Sequence, residues 1–212
     1  MSAVGDVRIV VLTKAPVPGR VKTRLIPALG AAGAADLARR LLARTLEQAM
    51  AAGIGSVELC ASPAVSHPDW ADQTLPMGLE TSAQGEGDLG ARMARAARGR
   101  LDVGGVAGRR VLLIGTDCPA LSATRLREAA KALNDHEAAV YPAQDGGYVL
   151  LGLRAFHPSL FSDLPWSTPA VAALTLERLR ALGWRVWVGG RLQDIDEPAD
   201  LLHLPASYQP LR

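Results

Sequence analysis

The sequence predicts an α/β protein with a mostly parallel central sheet and helices on both faces. Short apolar runs alternate along the 212 residues with longer stretches that carry apolar residues at helical spacing. The strongest strand signal is the apolar run Val111–Gly115, and the β-branched run Arg8–Thr13 is typical of a strand that is buried on both faces. Strands that alternate with helices usually pair in parallel. A chain of this length therefore fits one Rossmann-like domain over residues 1–212.

Each element has its own local signal. Runs of β-branched and other apolar residues predict strands at Arg8–Thr13, Val57–Ala61, Val111–Gly115, Ala138–Pro142, Tyr148–Leu153 and Trp184–Val188. Apolar stripes and capping residues predict helices over Ala31–Ala52, Leu89–Leu101 after Asp88, Ser122–Leu133, and from Ser167 or Thr168 to Leu182, with a short helix from Pro198. Residues 62–80 hold two Pro-containing turns and give no clear pattern.

Composition excludes several classes of protein. The 23 basic and 21 acidic residues nearly cancel, so no global basic field for nucleic acid is expected. Four Trp, three Tyr and two Phe residues are too few for an extended base-stacking surface. No apolar run approaches the ~18 residues of a membrane span, and the N-terminus lacks a signal-peptide pattern. Two cysteines do not make a disulfide framework, so we expect a cytoplasmic protein without membrane insertion.

A basic loop follows the first predicted strand. Between Val7 and Ala35 the chain has five basic residues and no acidic one. These residues are Arg8, Lys14, Arg20, Lys22 and Arg24. Lys22-Thr23 resembles the end of a Walker A loop, but Val21 and Pro16 stand where that loop requires glycine. Two interpretations remain: a turn that contains Gly19 and aims cationic side chains at a polyphosphate, or a solvated basic loop.

Acidic residues follow other strands of the predicted sheet. Asp117 comes directly after the most apolar strand, and Asp194 and Asp196 follow the last one. Ligands of α/β sheets bind beyond the carboxyl ends of the strands. Two carboxylates spaced i, i+2 in extended chain face the same side, which suits a hard cation that also holds phosphate oxygens. The alternative is local, since Asp117 could cap a turn and Asp196 the last helix.

Further polar segments each have two interpretations. Gln84-Gly-Glu-Gly-Asp88-Leu-Gly90 could bring backbone close to a ligand, or could be a glycine-rich start of a helix. Asp145-Gly146 could belong to the site, or could form the turn of a hairpin. Cys118 is interpreted as a small core residue, since no His lies near it in sequence. The four His residues are scattered and lie at no ligand spacing.

These residues together carry a resemblance. The motifs TKAPVPGRVKTRL (13–25), QGEGDLGARM (84–93), IGTDCPAL (114–121), QDGGYVLLGL (144–153) and DIDEPADL (194–201) resemble the GT-A superfamily of nucleotide-diphospho-sugar transferases. Within it, the chain is similar to a bacterial glycosyltransferase-like family of unassigned reaction, related to phospholactate guanylyltransferase-like nucleotidyltransferases. A full Asp-x-Asp, typical of glycosyltransferases, is absent at Gly115-Thr-Asp117.

The resemblance implies a GT-A fold that binds a nucleotide and a divalent metal, Mg²⁺ or Mn²⁺. By motif, Asp117 and Asp196 match metal ligands, with Asp194 as a neighbour. The basic loop matches the triphosphate-binding segment, which assigns phosphate binding to Lys14, Gly19, Arg20, Lys22 and Arg24. We expect Gln84 and Asp88 to add nucleotide contacts, and Asp117, Asp145 and Lys22 to serve catalysis.

The function expected from these observations is a metal-dependent transferase that acts on a nucleotide or a nucleotide-sugar and a small-molecule acceptor. Nucleotidyl transfer and glycosyl transfer both remain open. A non-catalytic nucleotide-binding or sensing domain on the same fold is the alternative. A plain protein-interaction domain would leave the acid-free basic stretch unexplained.

Overall fold

A computed structural model describes residues 7–101, 109–205 and 208. Seven strands form one sheet in the order β3-β2-β1-β4-β6-β5-β7. They are β1 (Val7–Lys14), β2 (Val57–Ser62), β3 (Glu80–Ala83), β4 (Arg110–Ile114), β5 (Ala138–Pro142), β6 (Tyr148–Leu153) and β7 (Val186–Val188). Only β6 runs antiparallel to its neighbours, β4 and β5. The prediction of an α/β fold with a mostly parallel sheet is confirmed.

In the described residues, four α-helices cover the sheet in two layers. They are α1 (Ile26–Ala52), α2 (Leu89–Leu101), α3 (Ala123–Ala132) and α4 (Val171–Ala181). The strand β1 shows why both faces are buried, since Ile9 and Val11 pack with α1 and α3 whereas Val10 packs with α2 and α4. Alternation along the strand sends successive side chains to opposite faces, so an unbroken apolar run feeds two cores.

One strand and the starts of two helices differ from the sequence prediction. The edge strand β3 was not predicted, because its four residues are largely exposed and form no apolar run. Helix α1 begins earlier, at Ile26, and is interrupted at Gly30 (φ 70°, ψ 165°). Helix α4 begins at Val171 rather than at Pro169. Its cap is Ala170, whose backbone N–H donates to the hydroxyl of Thr168 across 3.4 Å.

The remaining predicted elements lie close to their expected positions. Asp88 precedes α2 and accepts from the backbone N–H of Ala91, and Ser122 caps α3. The short helix from Pro198 is a 3₁₀ segment that ends at His203. Asp145-Gly146 lies in the turn between the antiparallel strands β5 and β6. None of the helices in the described parts of the chain combines the length and apolar composition needed to cross a bilayer.

Candidate functional site

An open cleft of about 740 Å³ lies at the edge of the sheet where β1 and β4 end and β6 begins. One bank is the loop between β1 and α1, and the other is formed by the start of α2 and the segment before α4. All residues predicted for the site except Gly19 line this cleft. They are Lys14, Arg20, Lys22, Arg24, Gln84, Asp88, Asp117, Asp145, Asp194 and Asp196.

Lys22 lies between two of the acidic residues, Asp117 and Asp196. Its Nζ is 2.6 Å from Oδ1 of Asp117 and 3.4 Å from Oδ1 of Asp196. It also donates to the backbone carbonyl of Ile195 across 2.5 Å. The side chain is only 5% exposed, whereas that of Asp117 is 47% exposed. The ammonium is thus held inside the protein by oxygen atoms from two distant segments.

The backbone of the basic loop is shaped to place this ammonium. Gly19 has φ +80°, a conformation that favours glycine, and this explains a glycine that does not itself line the cleft. Lys22 also adopts the left-handed region, with φ 44° and ψ 43°. Such a conformation in a lysine costs free energy and persists only where the surroundings impose it. Here the contacts of the Lys22 ammonium with Asp117, Asp196 and Ile195 offset the cost of its left-handed backbone.

A second group of acidic residues adjoins Lys22. Asp145, Asp194 and Asp196 each offer a carboxylate oxygen, and these three oxygens lie within 4.8 Å of one another. Oxygen ligands of Mg²⁺ and Ca²⁺ lie about 2.0–2.6 Å from the ion, so three oxygens at this spacing can share one hard cation. Asp145 and Asp194 come from the β5–β6 turn and the segment after β7, so only the tertiary fold joins them.

The electrostatics of this group reflect an excess of negative charge. Burial, with the neighbouring Asp145 as the second cause, raises the pKa of Asp194 to about 6. Burial and Asp117 raise the pKa of Asp196, and Lys22 acts in the opposite direction. This part of the cleft therefore holds four carboxylates and one ammonium, and this excess of acids favours an additional cation at neutral pH.

The other basic residues of the loop have acidic neighbours that the sequence does not reveal. Arg20 donates to Asp69 across 2.9 Å, and Nη1 of Arg24 lies 3.8 Å from Oε1 of Glu197. Both guanidinium groups are about two-thirds exposed, so these are surface ion pairs of small net energy. Lys14 is exposed at the end of β1. The basic stretch, which contains no acidic residue, therefore has acidic neighbours from other segments in the folded protein.

Gln84 and Asp88 both make contacts within the protein. The buried amide of Gln84 donates to the carbonyls of Thr13 (2.8 Å) and Cys60 (3.0 Å), which ties β1 to β2 at the cleft. Asp88 caps α2. Arg95 donates to the carbonyls of Gln84 and Glu86 and so holds the glycine-rich turn in place. These contacts agree with the interpretation of this segment as the start of a helix.

Gly90 is required for close packing. A Cβ at this position would lie 2.2 Å from the carbonyl oxygen of Phe161 and 2.5 Å from Nε1 of Trp166. The segment before α4 can therefore approach α2 only if position 90 has no side chain.

Cys118 is buried, which raises its pKa to about 11 and confirms its interpretation as a core residue.

The sequence did not point to several residues of the second bank. Arg92, Trp166, Ser167 and Thr168 also line the cleft. Ser167 has φ +63°, a second strained non-glycine backbone at the cleft. This strain leaves no mark in the sequence, where Ser167 and Thr168 were interpreted only as helix caps. Arg92 lies in the 84–93 motif, the one signal that could have identified it.

Comparison with known proteins agrees with this architecture. The family described as "Uncharacterized protein conserved in bacteria (DUF2064)" matches residues 45–168. A crystal structure of a "putative nucleotide-diphospho-sugar transferase" from Desulfovibrio desulfuricans G20 is 31% identical, with a TM-score of 0.86. The match covers 97% of this chain and 89% of that chain. None of the curated proteins compared with the chain matches it significantly.

More distant structures share the fold. A CMP:2-keto-3-deoxy-manno-octonic acid synthetase complexed with CTP has a TM-score of 0.57 at 13% identity, covering 93% of this chain and 96% of that one. Rv0371c of Mycobacterium tuberculosis H37Rv, in complex with manganese, has a TM-score of 0.52 at 18% identity, covering 94% and 97%. The fold is therefore that of the GT-A-like transferases, as the sequence motifs indicated.

Proposed function

The chain belongs to the bacterial family DUF2064, and from this membership and the geometry of its cleft we propose that it is a metal-dependent transferase. The substrate is a nucleotide or a nucleotide-sugar, and a small molecule is the acceptor. The observation that carries the proposal is the pairing of a cationic loop with a cluster of acids in one cleft. Phosphates need the cations, and a divalent ion that holds those phosphates needs the acids.

The acidic residues fit a divalent cation by the chemistry of their donors. Asp145, Asp194 and Asp196 offer only oxygen ligands, which Mg²⁺ and Mn²⁺ prefer. Asp194 is 8% exposed and carries a charge that no basic side chain within hydrogen-bond distance neutralises among the described residues. When bound, such an ion stabilises negative charge on phosphate oxygens. Manganese in the distant structural neighbour Rv0371c supports this choice of metal.

The residues of the chain bind and orient the substrate. Arg20 and Arg24 are exposed on the basic loop, where they can exchange their ion pairs with Asp69 and Glu197 for contacts with phosphate oxygens. Gly19 provides the left-handed backbone conformation that this loop requires, and Lys14 adds a cation at the end of β1. Lys22 keeps Asp117 and Asp196 in place. Gln84 and Asp88 position the turn that borders the second bank.

Two reactions fit this arrangement. In nucleotidyl transfer, an acceptor phosphate attacks the α-phosphorus of a nucleoside triphosphate and pyrophosphate leaves. In glycosyl transfer, the sugar moves from a nucleotide-sugar to an acceptor hydroxyl and the nucleoside diphosphate leaves. The Asp145 carboxylate offers one oxygen to the metal, and its second oxygen takes the proton of that hydroxyl. Both reactions place the phosphates on the basic loop, so the donor substrate distinguishes them. The CTP complex of a structural neighbour favours a nucleoside triphosphate in the first trials.

Thermal unfolding tests the proposal directly. The protein is melted with a panel of nucleoside triphosphates and nucleotide-sugars, each with and without Mn²⁺. A ligand at 100 times its dissociation constant adds about 2.7 kcal/mol of stability, which is easily detected as a rise in melting temperature. We expect a metal-dependent rise with one class of ligand. A rise with a triphosphate indicates nucleotidyl transfer, and a rise with only a nucleotide-sugar indicates glycosyl transfer.

Two other outcomes contradict the proposal. If no ligand shifts the melting temperature, the cleft does not bind a nucleotide and the proposal is wrong. A shift without turnover for any acceptor would support the alternative, a non-catalytic nucleotide-binding or sensing domain. Incubation of the stabilising nucleotide with a panel of sugar, alcohol and phosphate acceptors, followed by detection of pyrophosphate or nucleoside diphosphate, separates these two cases.

A further inference from the structure

The ammonium of Lys22 uses all of its hydrogen-bonding capacity inside the protein. A lysine ammonium has three N–H donors and no acceptor. Three oxygens surround this one: Oδ1 of Asp117 at 2.6 Å, the carbonyl of Ile195 at 2.5 Å and Oδ1 of Asp196 at 3.4 Å. No donor is left over for a phosphate. In this geometry Lys22 acts on the acids and not on the substrate.

The oxygens around Lys22 resemble the ligand set of a hard cation. Two carboxylates and a backbone carbonyl are ligand types that Mg²⁺ and Ca²⁺ take in proteins. The backbone that carries them is held without the ammonium, because the backbone N–H of Ile195 donates to the carbonyl of Asp117 across 2.9 Å. The backbone N–H of Asp196 is likewise held by Oδ2 of Asp200, at 3.0 Å. These contacts would thus keep Asp117, Ile195 and Asp196 adjacent if the ammonium were removed.

A separate set of oxygens lies beside this one and shares only Asp196. Asp145, Asp194 and Asp196 bring their oxygens within 4.8 Å of one another, and Asp117 is not among them. The Asp194 side chain is buried and points into this set, and no side chain of the described residues donates a hydrogen bond to it. Its hydrogen-bond donor is its own backbone N–H, and a buried carboxylate with so little compensation is costly unless a cation binds to it.

We propose that the Lys22 ammonium is a built-in cation that takes the place of a second metal ion at Asp117 and Asp196. The protein then binds one divalent ion per chain, on Asp145, Asp194 and Asp196, while Asp117 serves as the counter-ion of Lys22. Two positive centres share Asp196, as in a two-metal site, but one of them is covalently part of the chain. This inference rests on the proposed function, since it assumes that the cleft binds a divalent ion.

The number of bound Mn²⁺ ions tests the inference without any enzymatic assay. Mn²⁺ alone is titrated into the full chain, and free Mn²⁺ is measured by electron paramagnetic resonance. The wild-type chain is expected to bind one ion. Lys22→Met keeps the length and apolar stem of the side chain but removes the charge, and is expected to bind two. Lys14→Met, an exposed lysine of the same cleft, is the matched control and is expected to bind one.

The aspartates supply a second measurement that does not depend on the folding of Lys22→Met. Asp194→Asn is expected to weaken Mn²⁺ binding by more than about tenfold, because it removes a ligand. Asp117→Asn is expected to retain one ion, with a smaller loss of affinity than Asp194→Asn. In the double variant Lys22→Met, Asp117→Asn, the second ion is expected to be lost again. Circular dichroism shows which variants are folded.

The outcomes separate this inference from the proposed function. Two ions on the wild-type chain, one ion on a folded Lys22→Met, or loss of the ion in Asp117→Asn would each overturn the role given to Lys22 and leave the metal-dependent transferase standing. No Mn²⁺ on the wild-type chain would overturn both. One ion on the wild-type chain, two on Lys22→Met and retention in Asp117→Asn support it.

Discussion

The backbone N–H of Ile195 donates a hydrogen bond to the carbonyl oxygen of Asp117 across 2.9 Å. This bond joins the end of β4 to the segment after β7, which are far apart in the chain but adjacent at the cleft. The acidic residues are therefore brought together by backbone contacts and not only by a shared cation. Substitutions that change their charge should therefore leave this scaffold intact.

Asp194 should make stability depend on pH. Its pKa is about 6 in the folded protein, raised from the ordinary 3.8, so between pH 4 and 6 the folded chain keeps a proton that the unfolded chain releases. The free energy of unfolding therefore falls as pH rises through this window and stays lower above it. Asp194→Asn should stabilise the metal-free protein by about 1–3 kcal/mol at pH 7, and by much less near pH 4.

Urea unfolding of the metal-free protein between pH 4 and 8 measures this effect. Asp36→Asn, an exposed acid on α1, is the control and should show no comparable gain at pH 7. An equal gain in the control, or a gain in Asp194→Asn that does not change with pH, would contradict the assignment to burial of Asp194.

The exposed arginines of the basic loop should affect binding more than stability. Arg20→Gln and Arg24→Gln each remove a guanidinium that faces the cleft. Each should lower the affinity for the stabilising nucleotide by about tenfold, because a charge-assisted hydrogen bond is lost. Because their ion pairs with Asp69 and Glu197 are exposed, the stability of the free protein should change by less than about 1 kcal/mol.

Isothermal titration calorimetry with that nucleotide measures the loss of affinity. Arg39→Gln removes an exposed arginine that pairs with Asp36 on α1 and does not line the cleft, so the affinity of this variant for the nucleotide should equal that of the wild type. Unchanged binding in both loop variants would show that the loop is merely solvated.

Two glycines of α2 should respond in opposite directions to alanine. Gly90→Ala places a Cβ 2.2 Å from the carbonyl oxygen of Phe161, so the segment before α4 must move and stability should fall by about 1–3 kcal/mol. At Gly99 a Cβ meets nothing within 4 Å, and alanine there should stabilise the helix by up to about 1 kcal/mol. The melting temperatures of the two variants measure these changes. A Gly90→Ala variant as stable as the wild type would contradict the close approach of the segment before α4 to α2.

Gln84 should be needed for stability as well as for the shape of the cleft. Gln84→Leu removes the amide that donates to the carbonyls of Thr13 and Cys60 and leaves both acceptors without this donor. An unsatisfied buried polar group costs about 1–3 kcal/mol, so urea unfolding should show a loss in this range. A variant as stable as the wild type would leave Gln84 free for a role with the nucleotide alone.

The sequence predicted the parts of this protein that depend on local pattern. Strand β4 and the two faces of β1 follow from unbroken apolar runs, and helix α2 follows from the cap at Asp88. Strand β3 was missed because an exposed edge strand of four residues has neither alternation nor an apolar run. The start of α4 was misplaced because both Pro169 and Thr168 offer helix-start signals just before the true cap.

Within the site, the sequence by itself determined which side chains come after which strands, and so which ones could line the cleft. It did not determine which of them face each other. Lys22 contacts a segment 173 residues away through a left-handed backbone that no residue pattern announces. Asp145 joins Asp194 and Asp196 only because the β5–β6 turn and the chain after β7 end at the same edge of the sheet. Hydrophobic periodicity is a local property that the chain carries in its order of residues, whereas electrostatic interactions depend on distances that exist only after folding.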